Sequence, residues 1–323
     1  MTTTRRQWLA TAATAVTALA SQRSFAQTDT LRWVVPYPAG GGTDVLARTL
    51  AEAMRAGLGM NIVVDNKPGA ATQIGAQDVA RAAPDGRTLL QADNALLAFN
   101  EHLFKKLSVD AEKDFTYIGA IGKFPLALVV NPAFPAQTFK EFMAYLRANP
   151  GKLSYASPGN GSPHHLAMEM FKNRTRSFIV HIPYRGAAPA MQDVMAGQVP
   201  CMFLDLASGL STMQSGKVRV LAFGGRVRTP LLPGVPTLIE EGVRDVEVFA
   251  FQGLLGPAGL PAATLQRVNA ELNKALANSV VLKRFLDFGM EPMPGTPEQF
   301  RAFARAESSR WGPIIRSSGI GLD

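Results

Sequence analysis

The sequence is short of cysteine. One residue, Cys201, stands in 323, so no disulfide forms within the chain. Its place in the apolar run 200–204 (PCMFL) reads as a small core residue, not a nucleophile. There are four histidines, and neither H-E-x-x-H nor paired Cys/His spacing organises them, so no metal or other cofactor is expected. Charged residues are sparse at 18% against 47% apolar, which suits a globular core and excludes disorder. Aromatics are few and do not interleave with Lys/Arg clusters, so nucleic acid is not an expected partner. No apolar run past the N-terminus approaches the roughly 18 residues of a membrane helix, and the mature chain is expected to be soluble. A G-x-S-x-G nucleophile elbow and a repeat of fixed period are also missing.

What is present begins with export. Thr4-Arg5-Arg6-Gln7-Trp8-Leu9 matches the twin-arginine pattern. The apolar stretch Leu9 to Ala20 is too short to span a bilayer, and Arg23 follows it. Ser24-Phe25-Ala26 offers small residues for a peptidase cut before Gln27. Residues 1–26 are read as a signal peptide, and the periplasm, or secretion, as the destination. The three arginines of this segment account for +3 of the formal net charge of +8. The remaining +5 describes a mildly basic surface that favours anions at long range.

The rest of the chain is organised around 31–48, LRWVVPYPAGGGTDVLAR. Leu31–Val35 reads as a strand, Gly40-Gly41-Gly42 as a turn, and Thr43 as the N-cap of a helix carrying Leu46, Leu50 and Met54. The first turn of a helix has amides without intrahelical partners and a partial positive charge. Glycines remove the Cβ atoms that would keep a ligand away. The stretch is either a plain strand-to-helix turn or a seat for a small anion. Neither G-x-G-x-x-G nor G-K-[ST] is present, so a nucleotide is not the expected anion.

Strands and helices alternate from there: strands at 61–65, 88–91 and 115–121, with helices at 74–80 and 95–104 between them. A second series follows. Strand 126–130, helix 139–148 and strand 153–156 lead into Ser157-Pro158-Gly159-Asn160-Gly161-Ser162-Pro163, with Ser162 as N-cap and Pro163 at the first helical position. Strand 179–183, helix 190–196, strand 199–204, helix 208–214 and strand 218–223 come next. Residues 226–237 read as irregular, 246–255 as a long strand, and 262–277, 281–288 and 298–317 as helices. Such alternation implies mostly parallel sheets flanked by helices. The expected division is lobe one at 27–123 plus 246–323 and lobe two at 124–245. Each lobe offers one glycine-rich helix start to a hinged cleft, and Gly40–Thr43 and Gly161–Ser162 are expected to donate amides to one carboxylate.

Seven stretches, in order, resemble a known family: VVPYPAGGGTDVLAR (34–48), VVDNKPGA (63–70), GNGSPHHLAMEMF (159–171), IPYRGAAPAMQDVMAGQV (182–199), GKVRVLAF (216–223), LLPGVPTLIEEG (231–242) and FQGLLGPAGLP (251–261). The chain resembles the solute-binding receptors of tripartite tricarboxylate transporters, the Bug family. The resemblance implies a two-lobed periplasmic binding protein of type II-like α/β fold. It would close on a small organic carboxylate and deliver it, as a monomer, to membrane permease subunits. It implies ligand contacts from Tyr37, Pro38, Gly40, Gly41, Gly42, Thr43 and Asp44, from Gly159, Asn160, Gly161, Ser162 and His165, and walls from Tyr184, Arg185 and Gly186. Asp205 would reach the cleft directly or through water. Two departures stand out. His164 precedes the family's usual His-Leu and reads either as a ligand-selecting residue or as a solvated helix-start histidine. FLDLASG (203–209) differs from the commoner Phe-Asp-Asn, which leaves the alignment of Asp205 open by a residue. The alternatives are an exported α/β hydrolase, for which Ser162 and His165 are too poorly spaced as a catalytic pair, and a receptor presenting its ligand to a signalling partner.

The export reading has a direct test. With Arg5 and Arg6 both replaced by Lys, the precursor should accumulate in the cytoplasm on cell fractionation. Normal processing of that variant would assign the chain to the general secretory route.

Overall fold

The computed structural model describes residues 29–244 and 246–322. The expected signal peptide and its cut before Gln27 lie outside the described residues.

Strand β1 (Thr30–Val35) buries Leu31, Trp33, Val34 and Val35 and pairs in parallel with β2 (Asn61–Asn66) and β3 (Thr88–Asp93). Between β1 and β2, helix α1 (Gly42–Leu58) lays Leu46, Ala47, Leu50, Ala51, Met54 and Leu58 along one buried stripe, the 3.6-residue pattern of a core-facing helix. It ends where Gly59, at φ 62°, takes the left-handed conformation of a C-terminal cap. Helix α2 (Gln73–Ala80) connects β2 to β3. The expected helix at 95–104 is present in altered form: a π-helical turn, Ala95–Phe99, followed by the short α3 (Asn100–Leu103).

Strand β4 (Phe115–Val130) is one continuous element that serves two sheets. From Phe115 to Pro125 it pairs with β9 (Phe249–Pro257). From Leu126 to Val130 it pairs with β7 (Cys201–Asp205) and β8 (Arg219–Phe223). Beyond β7 lie β5 (Ser154–Ser157) and β6 (Val180–Pro183), both parallel. The two-residue β10 (Glu291–Pro292) pairs with β4 near its bend. Helices α4 (Phe139–Ala148), α5 (Pro163–Thr175), α6 (Ala187–Met195) and α7 (Leu206–Gln214) belong to the second series. Helices α8 (Ala262–Leu276), α9 (Ser279–Asp287) and α10 (Pro297–Ser318) complete the chain.

Pairing is parallel in the two outer wings, as the alternation predicts, but antiparallel at the centre. There β9 inserts between β3 and β4 and runs against both. The reason is topological. A chain that leaves a sheet through β4 and returns after a long excursion enters from the other end, with no crossover helix to restore its direction. The long strand expected at 246–255 is displaced to 249–257, because Val248 instead bonds Gly224 and Leu126 where three backbone segments cross. Gly224 is required at that crossing: a Cβ there would stand 2.1 Å from Val248 Cγ2 and 2.8 Å from its carbonyl oxygen. Cys201 is fully buried in β7, with its thiol pushed up by burial, as a core residue should be.

The start of α5 is braced by stacked rings. His165 and His181 lie 3.9 Å apart at 7°, and Tyr155 stacks on His181 at 4.8 Å. Burial lowers His165 to about 4 and His181 to about 3. Both are neutral in the folded protein at pH 5–7, while an unfolded histidine titrates near ~6.5. As pH falls from 6.5 toward 4, the unfolded chain binds protons that the folded one does not, so stability is lost across that window. Urea-denaturation free energies should therefore decline from pH 7 to pH 4.5, and His181→Phe, which keeps a stacking ring without the imidazole, should make the decline shallower. An unchanged slope would remove the histidines as its cause.

Candidate functional site

Four helix starts open onto one cavity of about 260 Å³. They are the first turns of α1 (Gly41, Gly42, Thr43), α5 (Ser162, Pro163, His164), α6 (Gly186, Ala187, Ala188, Pro189) and α7 (Asp205, Ser208). Asp93 at the end of β3, Phe124 from β4, Ala250 and Gln252 from β9, and the loop residues Tyr37, Pro38 and Arg185 also line it. One side of the cavity thus belongs to the first sheet and the other to the second. The approach is close: a Cβ on Gly42 would stand 2.9 Å from Ala207 Cβ.

The four starts are not equivalent. Ser162 caps α5, its hydroxyl accepting the His165 amide at 3.3 Å. Asp205 caps α7, accepting the Ser208 amide at 2.7 Å. The caps of α1 and α6 are Gly41 and Gly186, and neither helix has a side-chain cap bond. Their first-turn amides remain available to a ligand.

Thr43 is not the N-cap of α1, contrary to expectation. It lies inside the first turn, and its hydroxyl oxygen accepts a hydrogen bond from Gln252 Nε2 at 2.8 Å. Gln252 Oε1 accepts from Gln91 Nε2, which also reaches the Thr43 carbonyl at 3.2 Å. Gln91 Oε1 in turn accepts from Trp33 Nε1 at 3.0 Å. This buried chain fixes the α1 start against the sheet. Of the three glycines, Gly40 takes the positive φ, 83°, whereas Gly41 is extended at −78°. Asp44 does not line the cavity. Its carboxylate accepts from the Gly40 amide at 3.0 Å, from Asn66 and from Arg48, and so ties the glycine turn from behind. Burial opposes its charge, yet the hydrogen bonds from Arg48, Gly40 and Asn66 hold the carboxyl below its usual range.

Gly161 and His165 are also turned away from the role expected for them. The Gly161 amide donates to His165 Nδ1 at 3.1 Å, and the Ser162 amide to the Gly159 carbonyl. Those amides are already satisfied, so the second open helix start is α6 and not α5. Gly159, Asn160 and Tyr184 line an adjoining hollow of about 510 Å³, which shares Tyr37, Pro38, Ser162, Arg185 and Gly186 with the first cavity.

His164 is not solvated. It is 8% exposed, and Nε2 lies 2.9 Å from Asp205 Oδ2. Burial works against the Asp205 charge, but hydrogen bonds from His164 and Ser208 keep its carboxyl below the usual range. An ionised carboxylate only accepts, so the His164 proton facing it sits on Nε2. Two buried polar lining residues, Asp93 and Gln252, escaped the sequence reading. Asp93 accepts from the Tyr37 hydroxyl at 2.6 Å and from the Ala95 amide at 3.0 Å, and burial raises it to about 6. Its signal was position, at the carboxyl end of a strand in an open α/β sheet. For Gln252 the signal was a lone polar residue in the apolar run 248–255.

A larger hollow of about 600 Å³ lies between α10 and the loop before β4. Glu101, Asp110, Glu112 and Asp114 line it against Arg305 alone, an excess of negative charge that does not suit an anion. Among the described residues there is no cluster suited to a metal, and no helix is long and apolar enough to cross a membrane.

Comparison with known proteins now bears on this geometry. Residues 46–320 match the family described as Tripartite tricarboxylate transporter family receptor. Protein BugT of Bordetella pertussis is 33% identical over 293 residues, covering 90% of this chain and 90% of that protein. The R. palustris structure Rpa4515 with adipate superposes with a TM-score of 0.87 at 29% identity, covering 90% of this chain and 98% of that one. MatC from Rhodopseudomonas palustris, solved with bound malate, gives 0.82 at 31%, covering 88% and 98%. Profile, relatives and fold agree over nearly the whole length: the chain belongs to the tripartite tricarboxylate transporter receptor family and is a solute-binding receptor, not an enzyme.

Proposed function

We propose that the protein, exported to the periplasm and cut before Gln27, captures a small organic carboxylate in the 260 Å³ cavity and carries it, as a single copy, to the permease subunits of a tripartite tricarboxylate-type transporter. The observation that carries this reading is the pair of uncapped helix starts, α1 and α6, contributed to one cavity from the two sheets. Amides of Gly42, Thr43, Ala187 and Ala188, with the dipoles behind them, suit a carboxylate without a buried arginine. The adipate and malate bound by two relatives support the ligand class.

Closure follows from the same arrangement. Of the described residues, 29–123 with 246–322 belong to one lobe and 124–244 to the other, with the hinge at the β4 bend and at the Gly224 crossing. With Gly42 against α7 and Gly186 near Pro38, the lobes are drawn together, so release requires them to part.

A thermal-shift panel of small organic acids identifies the ligand class, since a ligand at 100 times its Kd adds about 2.7 kcal/mol. On the best acid, calorimetry should show a loss of about 1 kcal/mol for Thr43→Ala, the size of one neutral hydrogen bond. Gly41→Val should cost more than tenfold in affinity. Its backbone is extended and the nearest atom to a new Cβ is Pro38 O at 3.7 Å, so the variant folds, but its side chain takes the carboxylate's place. Parent-like binding by Gly41→Val would reduce the glycine stretch to a turn.

A further inference from the structure

The cavity that is open to an anion also holds an acid with no cation of its own. Asp93 is 4% exposed and lines the wall. Its partners are neutral donors, the Tyr37 hydroxyl and the Ala95 amide, and among the described residues no lysine or arginine forms an ion pair with it. The other acid lining the cavity, Asp205, has His164 and Ser208. Arg185 lines the cavity but is exposed and joins no ion pair among the described residues. A ligand carrying only negative charge would therefore bring a third carboxylate beside Asp93 and Asp205 in a desolvated space, where like charges repel strongly.

Resting on the carboxylate reading, we propose that Asp93 makes this site selective for amino-carboxylates, with the ligand's carboxylate on the open starts of α1 and α6 and its ammonium group paired with Asp93. The distances suit a small molecule. Asp93 stands opposite Gln252 in the β3–β9 register, and Gln252 is bonded to Thr43 in the first turn of α1. One side chain, Gln252, thus links the strand opposite Asp93 to the first turn of α1, and acid and amide donors line the same small cavity. An ammonium group satisfies Asp93 as a charge-assisted donor while Tyr37 keeps its bond. The charged and titratable groups around it, Tyr37, His164, Asp205 and Arg185, leave Asp93 the acid in need of a cation. Its elevated carboxyl, near 6 through burial, is what an unpaired acid shows, and it remains mostly ionised at pH 7.5.

The test uses matched pairs at pH 7.5: L-aspartate against succinate, L-glutamate against glutarate, L-alanine against propionate, read by calorimetry on the purified protein and on Asp93→Asn. In at least one pair the amino acid should bind ten times tighter or more, and Asp93→Asn should erase the difference without weakening the des-amino partner. If des-amino acids bind as well as amino acids, or only acids without an amino group bind, the inference fails while the carboxylate reading stands. Proton uptake on binding such an acid, seen by comparing buffers of different ionisation enthalpy, would show that a proton neutralises Asp93 instead. If no carboxylate binds at all, the carboxylate reading fails and this inference with it.

Discussion

Two glutamine side chains meet in the middle of the first sheet, and the rest of the site depends on that contact. Gln91 and Gln252 come from antiparallel neighbours, and neither amide is left over: one holds Trp33 and the Thr43 carbonyl, the other the Thr43 hydroxyl. A buried carboxamide without partners costs about 1–3 kcal/mol, so the network is favourable only when every member is in place. It therefore specifies one position for the first turn of α1, and with it the direction in which the Gly42 and Thr43 amides point. The opening of the binding cavity is set from beneath, by groups a ligand need not touch.

Around that fixed turn, the cavity is tuned by which helix starts are closed. The serine and aspartate caps each take one first-turn amide, that of His165 in α5 and that of Ser208 in α7, while the glycine caps take none from α1 and α6. Asp205 also places a negative charge on the start of α7, so α1 and α6 are the two starts with neither a side-chain cap nor a capping acid. The neutral, stacked His165 has a structural part in this, because its Nδ1 accepts the Gly161 amide and keeps the second glycine loop folded back on its own helix. His164, its neighbour, is devoted to Asp205. Two consecutive histidines thus have separate tasks, one bracing a loop and the other compensating a buried acid.

How much of this could be read from residues alone depends on range. The alternation of strand and helix, the Ser162–Pro163 start and the glycine turn before α1 are local patterns, and propensity and capping chemistry express them within a few positions. The insertion of β9 is not local, because strand direction on return to a sheet is decided by a chain path more than a hundred residues long. The same holds for capping. Thr43 reads as a cap in isolation, yet Gln252, 209 residues away, claims its hydroxyl. Gly161 reads as an open donor until His165 folds onto it. Asp93 carries no motif at all, and its importance comes only from what the fold places around it.

The insertion of β9 also fixes an order of events during synthesis. Until residues 249–257 have emerged, β3 and β4 each present a bare edge, and the contacts that close them join residues such as Gln91 and Gln252, 161 positions apart. Loop closure over that span is slow, and unpaired strand edges are where chains associate wrongly. The seam between β3 and β4 is therefore filled by a strand made late. A nascent chain of this design depends on being kept apart from its copies until the last quarter arrives, and a chain interrupted before β9 would leave both halves of the central sheet unjoined.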